Sequence, residues 1–457
     1  MFQLYKILHP TWYYTLPQKT KLNTFWVDYR KLKNDDFKNI DICQDYKEKS
    51  VSIFDVSYQL FLGGYIDIDK SKILEDEQRY YPKLLTDQYR FLRRFNKPIW
   101  VFFTFAVRMF SFNNPINEIK GYLDSRSKVT NVVADSIISK NKYFSFKSNL
   151  IKDKPLVSII VPTLNRYHEL KKILNDLEVQ SYKNFELIVV DQSDEFDASF
   201  YKKFSLKITY IRQKNKALWK ARNRAIKKSI GEYILLLDDD SRVSSNWIEE
   251  HLKCIDYFCV KISAGASIGM QNNSLPKQIS FFRWGDKLDT GNTMLKREVF
   301  QKCGLFDTKF EKMRMGDHEY GVRCYINNYN IIYNPYALRV HTKAQTGGLR
   351  FFNQWDGIRG IKVFTTRPVP SILYLTRKYW GTKATIYFLI KILPLSVIPF
   401  KYKGKTGGSF ISLILFILFS PIVLSQLFTS WIKSSNLLKQ KSSIKYLENK
   451  KQHLNVE

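Results

Sequence analysis

Acidic residues are scarce in this chain. Asp and Glu number 42 against 73 Lys and Arg among 457 residues, which gives a formal net charge of +31. A chain this basic suits an anionic partner such as nucleic acid, an anionic membrane leaflet or a phosphorylated substrate. No helix-turn-helix, RNP or zinc-finger spacing is present, and the lysines are spread widely instead of forming one stripe interleaved with aromatics. We therefore expect no nucleic-acid partner.

Cysteine is also rare. The chain has five cysteines without a C-x-x-C pair: Cys43, Cys254, Cys259, Cys303 and Cys324. An odd number without paired spacing provides no disulfide framework, so we expect free thiols in a reducing cytosol. The first 21 residues have neither an uninterrupted apolar run nor a small-residue cleavage site, so we expect no secretory signal.

Residues 1–150 carry no motif that indicates chemistry, and we expect an accessory α or α+β domain of unknown role. Its longest apolar run is Pro98–Phe112. That run is too short to span a bilayer and contains Arg108, so a buried helix and an interfacial helix both fit. We favour the accessory domain and assign no site to this region.

The C-terminal region, residues 351–457, has the composition of a membrane-associated helical region with a basic tail. Ser409–Ile432 contains no charged residue, and lysines precede and follow it. A single crossing would put one basic cluster on the wrong side of the membrane. We therefore expect a re-entrant or interfacial hairpin, bent near Pro421, at the cytoplasmic face and drawn to anionic lipid. A buried helical hairpin is the alternative.

Residues 155–350 alternate between apolar runs and amphipathic helical patterns, which predicts an α/β doubly wound sheet. Four strands are predicted: Val157–Pro162, Phe185–Val190, Lys207–Ile211 and Tyr233–Leu237. In such sheets, ligands bind at the carboxyl ends of the strands. Thr163, Asp191 and Asp238–Asp240 all lie at predicted strand ends, so we expect a binding site there.

Three consecutive carboxylates, Asp238, Asp239 and Asp240, follow the fourth strand. Like charges this close repel and raise each other's pKa, and a divalent cation would relieve the repulsion. If the backbone stays extended, Asp238 and Asp240 point the same way and Asp239 points away. A solvated acidic turn is the alternative for these three residues taken alone.

Six motifs together are more specific than any one of them. In chain order they are VSIIVPTLNR, FELIVVDQSD, KARNRAI, GEYILLLDDDS, TGNTMLKREVFQKCGLFD and GDHEYGVR. In this order and spacing the chain resembles the GT-A glycosyltransferases of family 2. The resemblance implies a Rossmann-like, mixed and mostly parallel sheet flanked by helices. It also implies inverting transfer from a nucleotide-diphosphate sugar, expected to be a UDP-sugar, to a hydroxyl of a glycan or lipid-linked acceptor in cell-surface polysaccharide synthesis.

The resemblance also implies residue roles. It assigns donor binding to Thr163, Asn165, Asp191, Arg222, Asn223 and Asp238, and it assigns Mn²⁺ or Mg²⁺ binding to Asp240, Asp238 and His341. Asp317 is the implied general base, and Glu319 and Asn292 are the implied acceptor contacts. Helix capping remains the alternative for Thr163 and Asn165, an exposed charge for Arg222, a structural role for His341 and a helix-start acid for Asp317.

Two positions depart from the family's pattern. Gly316 stands where the family has a Glu before the base, and Trp219 lies just ahead of the Ala-Arg-Asn motif, where small residues are common. Two other functions remain open: a non-catalytic GT-A-like nucleotide- or glycan-binding protein, and a basic membrane or nucleic-acid scaffold. The presence of Asp191, Asp240 and Asp317 argues against both.

Overall fold

The computed structural model describes most of the chain, in two compact units. The described residues are 1–17, 25–32, 40–68, 71–128, 130, 140–271, 274–285, 288–342, 357–358, 365–398, 407–442 and 444–448. The first unit draws on Met1–Ile138 and Gln354–Lys439, and the second on Ser139–Asn353 and Gln440–Glu457. This division differs from the predicted three consecutive regions, because the N-terminal region and most of the C-terminal region fall in one unit.

The second unit contains a sheet of nine described strands. They are β1 (Val157–Thr163), β2 (Phe185–Asp191), β3 (Ile208–Arg212), β4 (Tyr233–Leu237), β5 (Ser241–Val243), β6 (Ile262–Gly269), β7 (Arg283–Trp284), β8 (Asn292–Lys296) and β9 (Ile331–His341). The order is β3-β2-β1-β4-β8-β6-β9-β5, with β7 paired to β9. The four predicted strands are confirmed to within a residue or two.

Sixteen α-helices lie within the described residues. They are α1 (Gln3–Leu8), α2 (Val51–Leu62), α3 (Leu85–Phe95), α4 (Pro98–Phe110), α5 (Pro115–Leu123), α6 (Lys140–Ser145), α7 (Asn149–Asp153), α8 (Tyr167–Glu178), α9 (Ala198–Tyr201), α10 (Leu218–Lys228), α11 (Trp247–Tyr257), α12 (Arg297–Cys303), α13 (Gly316–Ile326), α14 (Pro370–Ile392), α15 (Gly408–Leu418) and α16 (Ser420–Lys439). Of these, α6–α13 belong to the second unit and the rest to the first.

The predicted α/β character is confirmed, but the sheet is less parallel than expected. The β1–β2, β2–β3, β1–β4 and β6–β9 pairings are parallel, and the other four described pairings are antiparallel. All of β1 is buried, as expected for an apolar strand covered on both faces. The apolar stripe of α8, with Leu170, Ile173, Leu174 and Leu177, packs into the same core.

The first unit is helical, with an isolated bridge between Val27 and Ile73. Its interior combines aromatic packing with a buried ion pair: Arg94 Nε donates to Asp55 Oδ2 at 2.6 Å, and the Tyr46 hydroxyl donates to the same oxygen. A buried charge of this kind is tolerated because its partners satisfy it. The role of residues 1–150 stays open, because these contacts are structural.

The C-terminal helices of the first unit form a bent arrangement. No single described helix is both long and apolar enough to cross a membrane, but the segments Phe410–Leu418 and Ser420–Lys439 reach the required length and composition together, with an 82° bend between them. The bend lies beside Pro421 and confirms the prediction made for that residue. Lys401, Lys403 and Lys405, the basic cluster ahead of the pair, lie outside the described residues.

Candidate active site

Strand ends converge where the sequence predicted a site. Thr163 and Asp191 are paired in register at the ends of β1 and β2, and β4, which pairs with β1, ends one residue before Asp238. Because these strands are parallel, their carboxyl ends meet at one edge of the sheet. The predicted clustering of Thr163, Asp191 and the three aspartates is therefore confirmed.

Asp238 lies between two arginines. Its Oδ1 accepts from Arg222 Nη2 at 2.6 Å, and its Oδ2 accepts from Arg339 Nη1 at 3.1 Å. Arg222 is almost fully buried, so the predicted alternative of an exposed surface charge is excluded. Gly291 is required beside this cluster, because a Cβ at that position would lie 1.8 Å from the Arg339 guanidinium and 2.4 Å from Asp238.

The next two aspartates share a different arginine. Arg166 Nη1 donates to Asp239 Oδ1 at 3.1 Å and to Asp240 Oδ2 at 3.2 Å. The chain turns at Asp239 and Asp240 instead of staying extended. The expectation that Asp239 points away from Asp240 is therefore wrong, because strand alternation ends at Leu237.

Burial acts differently on these two carboxyl groups. It raises the pKa of Asp239 to about 7, although Arg166 and the Thr163 hydroxyl partly offset the rise. Burial also opposes ionisation of Asp240, but its contacts with His341 and Arg166 outweigh that effect and lower its pKa. Asp240 is thus the carboxylate of this turn that is best kept ionised.

His341 stands next to Asp240, as the resemblance implied. Antiparallel pairing of β5 with β9 sets Ser241 opposite His341, and His341 Nε2 lies 3.2 Å from Asp240 Oδ2. Asp240 Oδ1 is buried and accepts no hydrogen bond from the described residues. Asp240 Oδ1 receives no hydrogen bond within the described part of the chain and lies on the carboxylate next to the His341 imidazole. An oxygen and an imidazole nitrogen are metal ligands that suit Mn²⁺.

The pair is only part of a metal site. Within the described residues, no three His, Cys, Asp or Glu side chains come together as a ligand group. Asp238, the third implied ligand, is instead held by its two arginines. Asp240 and His341 therefore fit a cation that takes its remaining ligands from another molecule, such as a diphosphate.

Three charged groups that sequence reasoning missed complete this network: Arg339, Asp289 and Arg166. Arg339 also donates to Asp289 Oδ2 at 3.1 Å, and Asp289 accepts from Ser267 and from the Gly291 backbone. Strand alternation offered a signal for Arg339, because it lies two residues before His341 on the same face of β9. Arg166, which directly follows Asn165, had no comparable signal.

Asp317 is the second residue of α13 and is partly buried. Its Oδ1 accepts from the backbone N–H of His318 at 2.8 Å. Burial raises the pKa of Asp317, the nearby Asp289 carboxylate adds to the rise, and Arg222 opposes it. Asp317 is therefore a helix-start acid that also belongs to the charged cluster, and its role as general base stays a prediction.

The two departures from the family's pattern meet each other. The Trp219 indole lies where a side chain at position 316 would project: a Cβ there would be 2.4 Å from Trp219 Cζ2. Trp219 is buried and its Nε1 donates to the carbonyl of Phe310 at 3.0 Å. Gly316 and Trp219 are thus direct neighbours, and the indole occupies the space that a side chain at position 316 would fill.

Three residues assigned to ligands are instead satisfied within the protein. The Asn223 amide exchanges two hydrogen bonds with the Phe306 backbone. The Asn292 amide is fully buried and bonds Ala266 O, Ala337 O and Trp247 Nε1. Both Glu319 oxygens accept from Arg323, and the side chain is fully buried. The geometry therefore does not support donor contact by Asn223 or acceptor contact by Asn292 and Glu319.

The side chains of Thr163 and Asn165 also form hydrogen bonds with other residues of the protein. The Thr163 hydroxyl donates to Asp239 at 2.8 Å. Asn165 exchanges hydrogen bonds with Asp194, and it does not cap α8, whose N-cap is Arg166. Both tie together the loops at the strand ends, and the alternative role of Asn165 as the cap of α8 is excluded.

Asp191 lies fully buried beneath those loops. Its Oδ2 accepts from the Tyr167 and Tyr201 hydroxyls at 2.5 and 2.8 Å, and its Oδ1 accepts from the Ser193 backbone N–H at 2.8 Å. A carboxylate offers about four acceptor positions, so one remains beyond these three hydrogen bonds, and nucleoside contact by this fully buried side chain stays a prediction.

The family model described as "Glycosyl transferase family 2" matches residues 158–307, which contain Thr163, Asp191 and Asp238–Asp240 but not Asp317, Arg339 or His341. Residues 158–307 form a glycosyl transferase family 2 domain. The expected resemblance is confirmed.

Curated relatives share this domain. Glycosyltransferase GlyA of Streptococcus pneumoniae is 33% identical over 170 residues, covering 36% of this chain and 23% of that protein. Poly(ribitol-phosphate) β-N-acetylglucosaminyltransferase TarS of Staphylococcus aureus is 29% identical over 106 residues, covering 22% of this chain and 18% of that protein. The chain spans less than a quarter of the length of these two relatives. The crystal structure of S. aureus TarS residues 1–349 with UDP-GlcNAc aligns at 17% identity and a TM-score of 0.41, covering 61% of this chain and 81% of that chain.

Proposed function

We propose that this protein is an inverting glycosyltransferase. It moves a sugar from a nucleotide-diphosphate sugar, with UDP as the favoured nucleotide, to a hydroxyl of a glycan or lipid-linked acceptor in cell-surface polysaccharide synthesis. The observation that carries the proposal is the position of Arg222. It binds Asp238 at the donor-side strand end, and its charge also acts on Asp317 and Asp289. The residues proposed for donor binding and for the general base therefore share one charged cluster.

Charge balance in this cluster favours a divalent cation. Among the described residues it brings together five carboxylates, Asp238, Asp239, Asp240, Asp289 and Asp317, with three guanidinium groups, Arg166, Arg222 and Arg339. With every aspartate ionised, two negative charges would be in excess, and protonation of Asp239, whose pKa is about 7, would leave one. Asp240 and His341 would hold Mn²⁺ or Mg²⁺, which supplies charge neutralisation for the leaving diphosphate.

Arg166 occupies an informative position in this arrangement. It is nearly buried and bonds both Asp239 and Asp240. We infer that it acts as an internal cation that competes with a divalent metal for Asp240. Once released, a guanidinium at this place is well suited to pair with diphosphate oxygens, because its planar donors match them.

Asp317 is the proposed general base. Its carboxylate would take the proton of the acceptor hydroxyl as that oxygen attacks the anomeric carbon from the face opposite the diphosphate. A pKa raised by burial suits this role, because the ideal base titrates near the working pH. The Asp191 carboxylate would accept hydrogen bonds from the nucleoside.

We place this activity at the cytoplasmic face of the membrane, with α15 and α16 on the lipid. Both helices expose large apolar side chains, including Phe410, Ile417, Leu418 and Phe428. An amphipathic or bent apolar element with basic flanks is drawn to anionic lipid.

The test is a screen of nucleotide sugars for binding to the full chain, with and without Mn²⁺, followed by an assay of nucleotide release. We expect binding of one donor class that depends on the metal and is lost in Asp240→Ala. Unchanged nucleotide affinity in that variant in the presence of Mn²⁺ would contradict the metal assignment. Binding without release of nucleotide in the presence of candidate acceptors would favour the non-catalytic alternative.

A further inference from the structure

The α4–α5 hairpin of the first unit exposes more apolar surface than a soluble accessory domain requires. Phe110 is 86% exposed, Phe112 is fully exposed and Ile116 is 73% exposed. Ile99, Phe102, Ile119 and Leu123 of the same two helices are exposed as well. Monomeric soluble proteins rarely expose contiguous apolar patches of this kind without a partner for them.

The exposed side chains lie on the outer faces of both helices. The inner faces are joined by a buried ion pair between Arg108 of α4 and Glu118 of α5, and Glu118 also accepts from the Tyr89 hydroxyl at 2.7 Å. At about 100° per residue, Phe110 and Ile116 lie roughly 200° from these inward-facing residues. The hairpin is therefore fixed from the inside, and its apolar outer face is not a consequence of loose packing.

Outward-facing residues on α4 follow the helical repeat. Ile99, Phe102, Ala106 and Phe110 fall three or four residues apart, while Val101, Thr104 and Val107 form the buried stripe. Helices that are apolar on every side occur inside large proteins or in lipid. One side of α4 is buried in the protein, while its other, apolar side faces outward. We therefore expect the outward side to contact a second apolar environment.

The turn between the helices carries a further signal. Phe112 has φ 55°, in the left-handed region that glycine, asparagine and aspartate populate most readily. The fully exposed Phe112 side chain buries no apolar surface against the described protein that could offset the cost of this backbone conformation. Its position at the tip suits an aromatic side chain that inserts into a membrane interface.

The tip itself, residues 110–117, carries no charged residue, and the exposed basic residues of this segment are set back from it along the two helices. The exposed cations of this segment are Lys97, Lys120, Arg126 and Lys128, and the exposed anion is Asp124. An uncharged apolar tip with lysine and arginine set back from it is complementary to the acyl region and, above it, to the phosphate layer of an anionic leaflet. A protein partner would more often present a concave apolar groove rimmed by polar groups of both signs.

We propose that the α4–α5 hairpin is a second membrane-contact surface, which inserts Phe110, Phe112 and Ile116 into an anionic lipid leaflet. The same unit carries the exposed apolar helices α15 and α16, and α14 contacts both parts. Lys391 Nζ of α14 lies 4.9 Å from the Trp100 ring centroid of α4, and Leu389 of α14 packs with Val423 of α16. The proposal does not depend on sugar transfer.

The first test measures binding of the full chain to vesicles of phosphatidylcholine with and without phosphatidylglycerol. Phe110→Ser combined with Phe112→Ser should weaken binding to the anionic vesicles by at least about tenfold, because two aromatic side chains no longer leave water. The matched control, Val179→Ser with Ile230→Ser, changes two residues of the second unit that are 64% and 61% exposed, and it should bind like the wild type. Equal binding by both double variants overturns the proposal. So does a change of oligomeric state in the tip variant with vesicle binding intact, since the hairpin would then be a contact between copies.

The second test reports on position and is independent of affinity. In a Cys259→Ser background, where the other four cysteines are buried, Phe112→Cys is labelled with an environment-sensitive fluorophore. We expect a blue shift of its emission when anionic vesicles are added, and no shift for a label at Val179→Cys. An unshifted label at position 112 on protein bound to vesicles would show that the hairpin stays in water.

Discussion

At the scale of single residues, charge pairing decides what each aspartate of the site can do. Asp238 is fixed by Arg222 and Arg339, while Asp239 and Asp240 share Arg166. Only Asp240 keeps a buried oxygen to which no described residue donates. The three adjacent aspartates therefore have three different environments, which their identical side chains could not reveal.

Asp317→Asn tests the proposed base. The substitution keeps the shape of the side chain and removes its ability to accept a proton, so turnover should fall by about 10²–10⁴-fold while donor binding persists. In the wild type the base must be ionised, and burial raises its pKa. Activity should therefore be lost, as pH falls, at a higher pH than for an ordinary aspartate. Near-normal turnover in Asp317→Asn would leave the residue only its helix-start role.

Arg166→Ala tests the internal cation. Without nucleotide, Mn²⁺ should bind about tenfold more tightly, since a competing cation has left Asp240 and about 1.4 kcal/mol corresponds to a factor of ten. With nucleotide present the gain should shrink or reverse, because a diphosphate partner has been removed. Titration calorimetry or the electron paramagnetic resonance of Mn²⁺ measures both. Arg224→Ala makes the same charge change at an exposed arginine and should leave Mn²⁺ affinity unaltered. Equal Mn²⁺ affinity in Arg166→Ala and the wild type contradicts the inference.

At the scale of elements, the start of α13 is shaped by a side chain from α10. A Cβ on Gly316 would overlap the Trp219 ring, so Gly316→Ala should destabilise the protein by about 1–3 kcal/mol through overpacking. In a Trp219→Ala background, which itself leaves a cavity, the same change should cost much less. Urea unfolding followed by circular dichroism measures this coupling.

Gly285→Ala is the control for that pair of substitutions. Its Cβ would meet Ile331 at 2.7 Å, so it overpacks a different contact in the same unit. Its cost should be the same in the wild-type background and in the Trp219→Ala background. If Gly316→Ala is equally costly in both backgrounds, Trp219 does not explain the glycine, and the two departures from the family's pattern are independent.

Elements differ in how far the sequence could specify them. Tyr233–Leu237 was predicted to the residue, because a short apolar run bounded by Gly231 and the aspartates admits one strand. The insertion of β8 between β4 and β6, antiparallel to both, could not be predicted, since tertiary pairing is not written in local periodicity. At the site, Asn292 and Glu319 show a similar limit on what the sequence can predict. A motif specifies the residue type, but the fold turned both side chains inward onto internal partners.

At the scale of the whole molecule, a net charge of +31 and exposed apolar helices both favour an anionic membrane surface. The 82° bend between α15 and α16 fits a broken span as well as the predicted hairpin that enters the lipid and returns. Basic segments on both sides of the pair should then stay on the cytoplasmic face under the positive-inside rule.

Placing one cysteine at Gly404, in a chain whose five cysteines have been replaced by serine, tests this topology. Gly404 lies in the basic segment ahead of α15, outside the described residues. A membrane-impermeant thiol reagent added to intact cells should leave it unlabelled, because both ends of the hairpin face the cytoplasm, and the same reagent should label it once the cells are opened. A cysteine at Ser442, behind α16, serves as the matched position and should behave in the same way. Labelling of position 404 from outside, with position 442 protected, would mean that the helix pair crosses the membrane, and the re-entrant hairpin would have to be replaced by a broken span.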